Sequence, residues 1–318
     1  MKKQDISTFF TSLQNLQSSQ NFLSTCYANL SGVNTEEKSY ENSGTFLYYL
    51  DQGQLFLKEG EKIDLRLKPL LYFYGMGHIL KACLLTNRPD YPESTSILAH
   101  GVSARKRKKK DYSFIQDEVR VQQNGLFTYT SSHLFSFKTS PFSKVKMDYL
   151  LRLIPEMNEF FTFNNQGKFI SIGRINSSTL CFPASILDNY HLTQRAFIQR
   201  ITPYIPKINK VVSSKKHLMV YMEMPVQRLE GPFYYHHLQQ EIYFPCDREY
   251  FVSVPEILIH YLILYNLSMI SRYETEYWGE LFSTKYGMDY SVIVQYLSIA
   301  VDKIEALLGE WLLQRSKK

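Results

Sequence analysis

The spacing of apolar residues shifts along this chain of 318 residues, and that shift bounds what it can fold into. Toward the N-terminus apolar positions recur every three or four residues, as on one face of a helix. Ile6, Phe9, Leu13, Leu16, Leu23, Cys26 and Leu30 predict a helix over 6–31, ended by Ser31-Gly32. Leu71, Tyr74, His78, Ala82 and Leu85 share a face and predict a second helix over 66–86. Gly75 and Gly77 interrupt it and let another backbone approach, and Pro89 and Pro92 stop it. Polar residues 33–44 read as a loop, and 45–57 fits either a hairpin or two helical turns. In the middle the period falls to two. Val119, Val121, Phe127 and Tyr129 alternate with polar residues around Asn124-Gly125, which predicts a hairpin. Residues 169–175 and 218–224 read as strands and 234–244 as a strand pair, with helical spacing at 146–161 and 184–202. The end is helical again, over 255–273 and 289–314. The last helix carries the stripe Ile293, Leu297, Ala300, Ile304, Leu308 and Trp311.

This pattern predicts an α+β fold: helix-rich N- and C-terminal segments packed together around a mixed central region with β-hairpins. No repeat or low-complexity linker divides the chain. A single unit over 1–318 is expected, with sub-regions 1–100 helical, 101–250 mixed and 251–318 helical. With 24 Tyr and 21 Phe, the core should be tyrosine-rich, with hydroxyls that need partners when buried.

Charge is concentrated in one place. The formal net charge is +6, and the run Arg105, Lys106, Arg107, Lys108, Lys109 and Lys110 alone carries six positive charges, so the rest is balanced. Such a run attracts phosphate on nucleic acid, a nucleotide or a membrane headgroup. Its bland alternative is a solvated charged loop. Tyr112 and Phe114 follow and are placed to stack a base. His100, before Gly101, stands at a turn beside the cations, where an imidazole either contacts phosphate or caps a helix end. Arg272 lies near the end of the 255–273 helix. There it either binds free carbonyls, makes a buried structural ion pair or a cation–π contact to Trp278, or completes an anion pocket. The candidate phosphate-binding residues are therefore His100, 105–110 and Arg272. His78, which otherwise reads as a core histidine, and Tyr74 are candidate pocket residues. No catalytic residue is assigned, because no carboxylate or nucleophile stands at a spacing that would activate either histidine.

Other classes are disfavoured. Cys26, Cys83, Cys181 and Cys246 are far apart and read as reduced thiols of a cytoplasmic protein. Met1-Lys2-Lys3 has no apolar run behind it, so no secretory signal is expected. Residues 251–270 contain Pro255, Glu256, His260 and Asn266, a poor membrane span. His236-His237 has only Glu241 near it, and no metal or cofactor is expected. P-loop, dinucleotide-binding and nucleophile-elbow motifs do not occur.

Four segments together resemble the YaaC-like family of bacterial proteins. They are Tyr72-Phe-Tyr-Gly-Met-Gly-His78-Ile-Leu-Lys-Ala82, His100-Gly101 with its Arg-Lys run, Asp117-Glu-Val-Arg-Val-Gln-Gln-Asn-Gly125-Leu-Phe127, and Leu267-Ser-Met-Ile-Ser-Arg272-Tyr273-Glu274-Thr-Glu-Tyr277-Trp278. Their order extends the resemblance over nearly the whole chain. It implies a functionally uncharacterised family and supplies no catalytic residues. The helix 72–85 is also faintly similar to the tyrosine-rich helix of HEPN-type domains, which include RNases with Arg and His four to six residues apart on one helix. Here the nearest pair, Arg228 and His236, has the wrong spacing and spans Gly231-Pro232. The expected function is a binding or regulatory protein that engages nucleic acid or a nucleotide through 105–110. A nucleotide- or RNA-processing enzyme is the alternative.

Overall fold

A computed structural model describes residues 3–104, 112–137, 142–163, 167–226 and 231–316. In chain order the elements are α1 (Lys3–Ser12), α2 (Leu16–Tyr27), α3 (Thr35–Lys62), α4 (Lys68–Leu85), β1 (Val102–Ala104), β2 (Glu118–Val121), α5 (Leu126–Leu134), β3 (Lys144–Lys146) and α6 (Met147–Arg152). There follow α7 (Asn158–Phe163), β4 (Phe169–Arg174), β5 (Thr179–Pro183), α8 (Ile186–Tyr190), α9 (Gln194–Ile201), β6 (Ile208–Ser213), β7 (His217–Met222), β8 (Tyr234–His236) and β9 (Glu241–Pro245). The chain ends in α10 (Glu256–Tyr273), α11 (Thr275–Thr284) and α12 (Gly287–Arg315). The fold is α+β, as expected. It divides into two units, 1–150 with 257–318, and 151–256.

In the first unit the helix expected over 6–31 is broken. The Asn15 side chain accepts from the Ser18 N–H and starts α2, which leaves Leu16 of the expected stripe 54% exposed. The expected loop and ambiguous segment that follow are instead one helix, α3. Asn34 caps it, Glu36 and Glu37 favour its N-terminus, and Ser39, Ser43, Phe46, Leu50, Gly53, Leu57 and Gly60 form its buried face. Small residues replace bulk along much of that stripe, which hid its helical period. The glycines let α3 and α4 touch backbone to backbone: a Cβ on Gly53 would lie 3.0 Å from the Gly75 carbonyl oxygen.

The helix α4 is apolar on every side. Tyr72, Phe73, Met76, Ile79, Leu80 and Cys83 are buried, while Leu71, Tyr74 and His78 are half-buried. The stripe read as its core face is therefore split: Ala82 and Leu85 are buried, and Leu71, Tyr74 and His78 lie half-open. The helix α12 packs against α4 and α1, so the two ends of the chain share one core. Ile293, Leu297, Ala300, Ile304 and Leu308 are buried, as their spacing predicts, and Trp311 is half-buried beneath Arg315.

No hairpin forms around Asn124-Gly125. Strand β2 pairs antiparallel with β1 (Val102↔Val121) and with β3 (Val119↔Val145), and Gly125 starts α5 instead. Its φ of 126° is open to glycine, and a Cβ there would run into the Gly101 backbone. Residues 146–161 keep their predicted apolar stripe buried, but Pro155 splits the helix into α6 and α7.

The second unit holds two three-stranded antiparallel sheets, ordered β4-β9-β8 and β5-β7-β6. The expected strands at 169–175, 218–224 and 234–244 are present. The strands β5 and β6 were not anticipated, and the helix read over 184–202 breaks at His191, a left-handed residue, into α8 and α9. Phe182, Tyr190, Phe197, Phe233 and Phe244 centre its core.

Candidate functional site

The half-open face of α4 carries Tyr74, Gly77, His78 and Lys81, at i, i+3, i+4 and i+7. A Cβ on Gly77 would meet nothing within 4 Å, so space lies over this face. The loop before β1 brings His100 to it. The N–H groups of Leu126 and Phe127 donate to the carbonyls of Ala99 and His100, and the Tyr261 hydroxyl also donates to the His100 carbonyl at 2.9 Å. Pinned from α5 and α10, the His100 ring sits edge-on to Phe73 (5.1 Å between centroids), Tyr265 (5.7 Å) and Tyr74 (6.2 Å).

Arg272 arrives from the last turn of α10. Its Nε donates to the Ser268 carbonyl at 3.0 Å, one guanidinium N–H reaches the Tyr74 hydroxyl at 3.5 Å, and its plane lies over the Tyr273 ring. It binds a helix carbonyl, as its position predicts. It does not stack on Trp278, whose indole N–H donates to the Arg66 carbonyl.

Burial comes first among the causes that hold the His100 imidazole below its ordinary pKa. The Arg272 and Lys81 cations add to it. His78 is lowered by burial and then by Lys81, and Lys81 itself is lowered by burial. The His78 ring packs against Tyr49 and Phe56 of α3, and its Nδ1 is buried with no hydrogen-bond partner. Among the described residues no carboxylate pairs with Lys81 or Arg272. Unpaired cations beside neutral imidazoles and tyrosine hydroxyls make a surface suited to an anion.

Of the residues singled out by sequence, His100, Tyr74 and Arg272 come together, and His78 lies one helical turn beyond Tyr74. Lys81 was missed. Its signal was a lone cation in the interior of an otherwise apolar helix. Residues 105–110 and Arg228 lie outside the described residues, 105 directly following β1 in the chain. Phe114 cannot stack a base because it is fully buried, and the Tyr112 hydroxyl is engaged by Asp117 at 2.7 Å. His236 is buried in β8, with Nδ1 accepting from the Gln239 N–H. Among the described residues no cluster of His, Cys, Asp or Glu has metal-binding geometry, and no helix is long and apolar enough to cross a membrane.

Comparison with curated proteins and with solved structures returns no match. A family model described as YaaC-like protein matches residues 11–312, which include every residue of the α4–α10 face, so the chain belongs to the YaaC-like family.

Proposed function

We propose that this protein binds a phosphate-bearing ligand, nucleic acid or a nucleotide, on the α4–α10 face, with the run 105–110 supplying further cations. The observation that carries the reading is the meeting of Arg272 and His100 at Tyr74 on one half-open surface, with Lys81 two turns on along the same face of α4 and, among the described residues, no carboxylate paired to either cation. A cation with no acidic partner, set on a partly desolvated surface, interacts more strongly with an incoming anion than the same cation in open solvent.

The test is binding of a fluorescent oligonucleotide and of inorganic phosphate across a salt series. Wild-type affinity should fall steeply with salt, with a log–log slope of about 0.9 for each phosphate neutralised on a duplex. The variant K81A/R272Q should weaken both ligands. R105A/R107A/K109A should weaken the oligonucleotide more than phosphate and leave the thermal midpoint nearly unchanged. Affinity that ignores salt and all of these substitutions rejects the reading. A processing activity is favoured by one feature, the His100 imidazole at the half-open face, which burial and the neighbouring cations keep in its unprotonated, basic form. Breakdown of nucleotide or RNA that disappears in His100→Ala while binding persists would establish that alternative.

A further inference from the structure

The helix α4 holds two glycines, and packing accounts for one of them. A Cβ on Gly75 would lie 2.9 Å from the Leu57 side chain and 3.0 Å from the Gly53 carbonyl oxygen. A Cβ on Gly77 would meet nothing within 4 Å, and Gly77 does not have the positive φ that favours glycine. A glycine inside a helix costs up to about 1 kcal/mol against alanine. Neither a close backbone nor a turn requires Gly77, so what its bareness provides is room above the helix.

That room has a definite surround. Phe73, Gly77 and Lys81 make one row along α4, at i, i+4 and i+8, with Tyr74 beside it. Toward the start of the helix the His100 ring stands edge-on to Phe73, Tyr74 and Tyr265. Arg272 donates to the Tyr74 hydroxyl, and its guanidinium lies 5.0 Å from the centre of the Tyr273 ring, which is 60% exposed. Toward the end of the helix Lys81 Nζ lies 5.5 Å from the centre of the Tyr49 ring, and His78 packs against Tyr49 and Phe56. Lys81 and Tyr74 are two turns apart, about 10 Å along the axis. A bare position is therefore bordered by aromatic rings, with a cation toward each end. Burial disfavours protonation of both histidines, which leaves Lys81 and Arg272 as the standing positive charges.

We propose that this face takes single-stranded nucleic acid, with one base over Gly77 among the rings and the phosphates on its two sides at Lys81 and Arg272. The assignment rests on the phosphate-binding function proposed for this face and narrows it. An internal nucleotide of a strand runs phosphate, base, phosphate, and the face runs cation, rings, cation. A free mononucleotide with one phosphate occupies only one of the two cations. In a duplex each base is already stacked and paired, so the rings have no base to receive. Stacking on aromatic rings tolerates any base, and cations track the backbone of DNA and RNA strands alike.

The test uses the full chain carrying R105A/R107A/K109A, because the basic run draws any polyanion. Short strands of deoxythymidylate and of uridylate, a DNA duplex of the same length, thymidine monophosphate and inorganic phosphate are titrated by calorimetry. Both strands should bind at least tenfold tighter than the duplex and the monophosphate. Adding Gly77→Leu fills the room with a side chain whose Cβ meets nothing in the protein. It should melt no lower than its parent, weaken both strands about tenfold and leave inorganic phosphate within about twofold. Tyr273→Ala, which removes an exposed ring, should weaken both strands several-fold and leave inorganic phosphate alone. If inorganic phosphate binds but the duplex or the monophosphate matches the strands, or the strands ignore Gly77→Leu, the single-strand assignment is overturned and phosphate binding stands. If neither inorganic phosphate nor any of the nucleotides binds, both fall.

Discussion

His100 and His78 are kept neutral by burial and by the neighbouring cations, and this has a consequence for stability with a definite sign. A histidine in the unfolded chain titrates near about 6.5, whereas in the native state both titrate lower. Below about pH 6.5 the unfolded chain takes up protons that the native chain refuses, so native stability falls as pH drops below about 6.5. Above it the two histidines contribute no pH dependence. Thermal melts between pH 7.5 and 5 should show this fall, and H78N/H100N should flatten it. A bound anion acts the other way, because it favours the imidazolium. Phosphate binding should then tighten as pH falls over the same range and take up protons, measurable by calorimetry in two buffers of different ionisation enthalpy. At this scale sequence located the residues but not their state: nothing in the spacing of His78 or His100 shows that Lys81 acts on both and Arg272 on His100.

Among elements, the α3–α4 pair decides how the first unit is assembled. Replacing a helix-interior glycine by alanine normally gains up to about 1 kcal/mol. At Gly53 the sign should reverse, because a Cβ there meets Ile79 and the Gly75 carbonyl, and the two helices must separate. Gly53→Ala is expected to cost about 1–3 kcal/mol. Gly77→Ala, one turn into the open face, should instead give the ordinary gain, since its Cβ meets nothing. Urea midpoints of the two variants should move in opposite directions. The sequence carried the cue for close approach at Gly75 but not the identity of the approaching helix. The period of α3 is diluted by Ser39, Ser43, Gly53 and Gly60, small residues chosen by the contact rather than by hydrophobicity. Asn124-Gly125 misled for a related reason. Its left-handed glycine serves a helix start packed on Gly101, and local chemistry does not distinguish that use from a hairpin turn.

For the whole molecule, α12 closes the first unit by covering α4 and α1. Leu297, 2% exposed, should cost about 2–5 kcal/mol when cut to alanine. A chain ending at residue 284 lacks α12 altogether, so its first unit should lose cooperative thermal unfolding in circular dichroism. Retention of a sharp transition would show that α1–α4 hold together alone. Sequence alone determined the α+β class, the family, the final helix with most of its stripe buried, and four of the six strands of the second unit. These rest on local periodicity or on a pattern spread over the whole chain, and both are written in residue order. Tertiary structure decided which face of α4 is left open and that Arg272 and His100 meet at Tyr74 there. The physical reason is that α4 and α10 are apolar on nearly every side, so hydrophobicity does not choose the face they bury. Only the fit of neighbours from distant parts of the chain does.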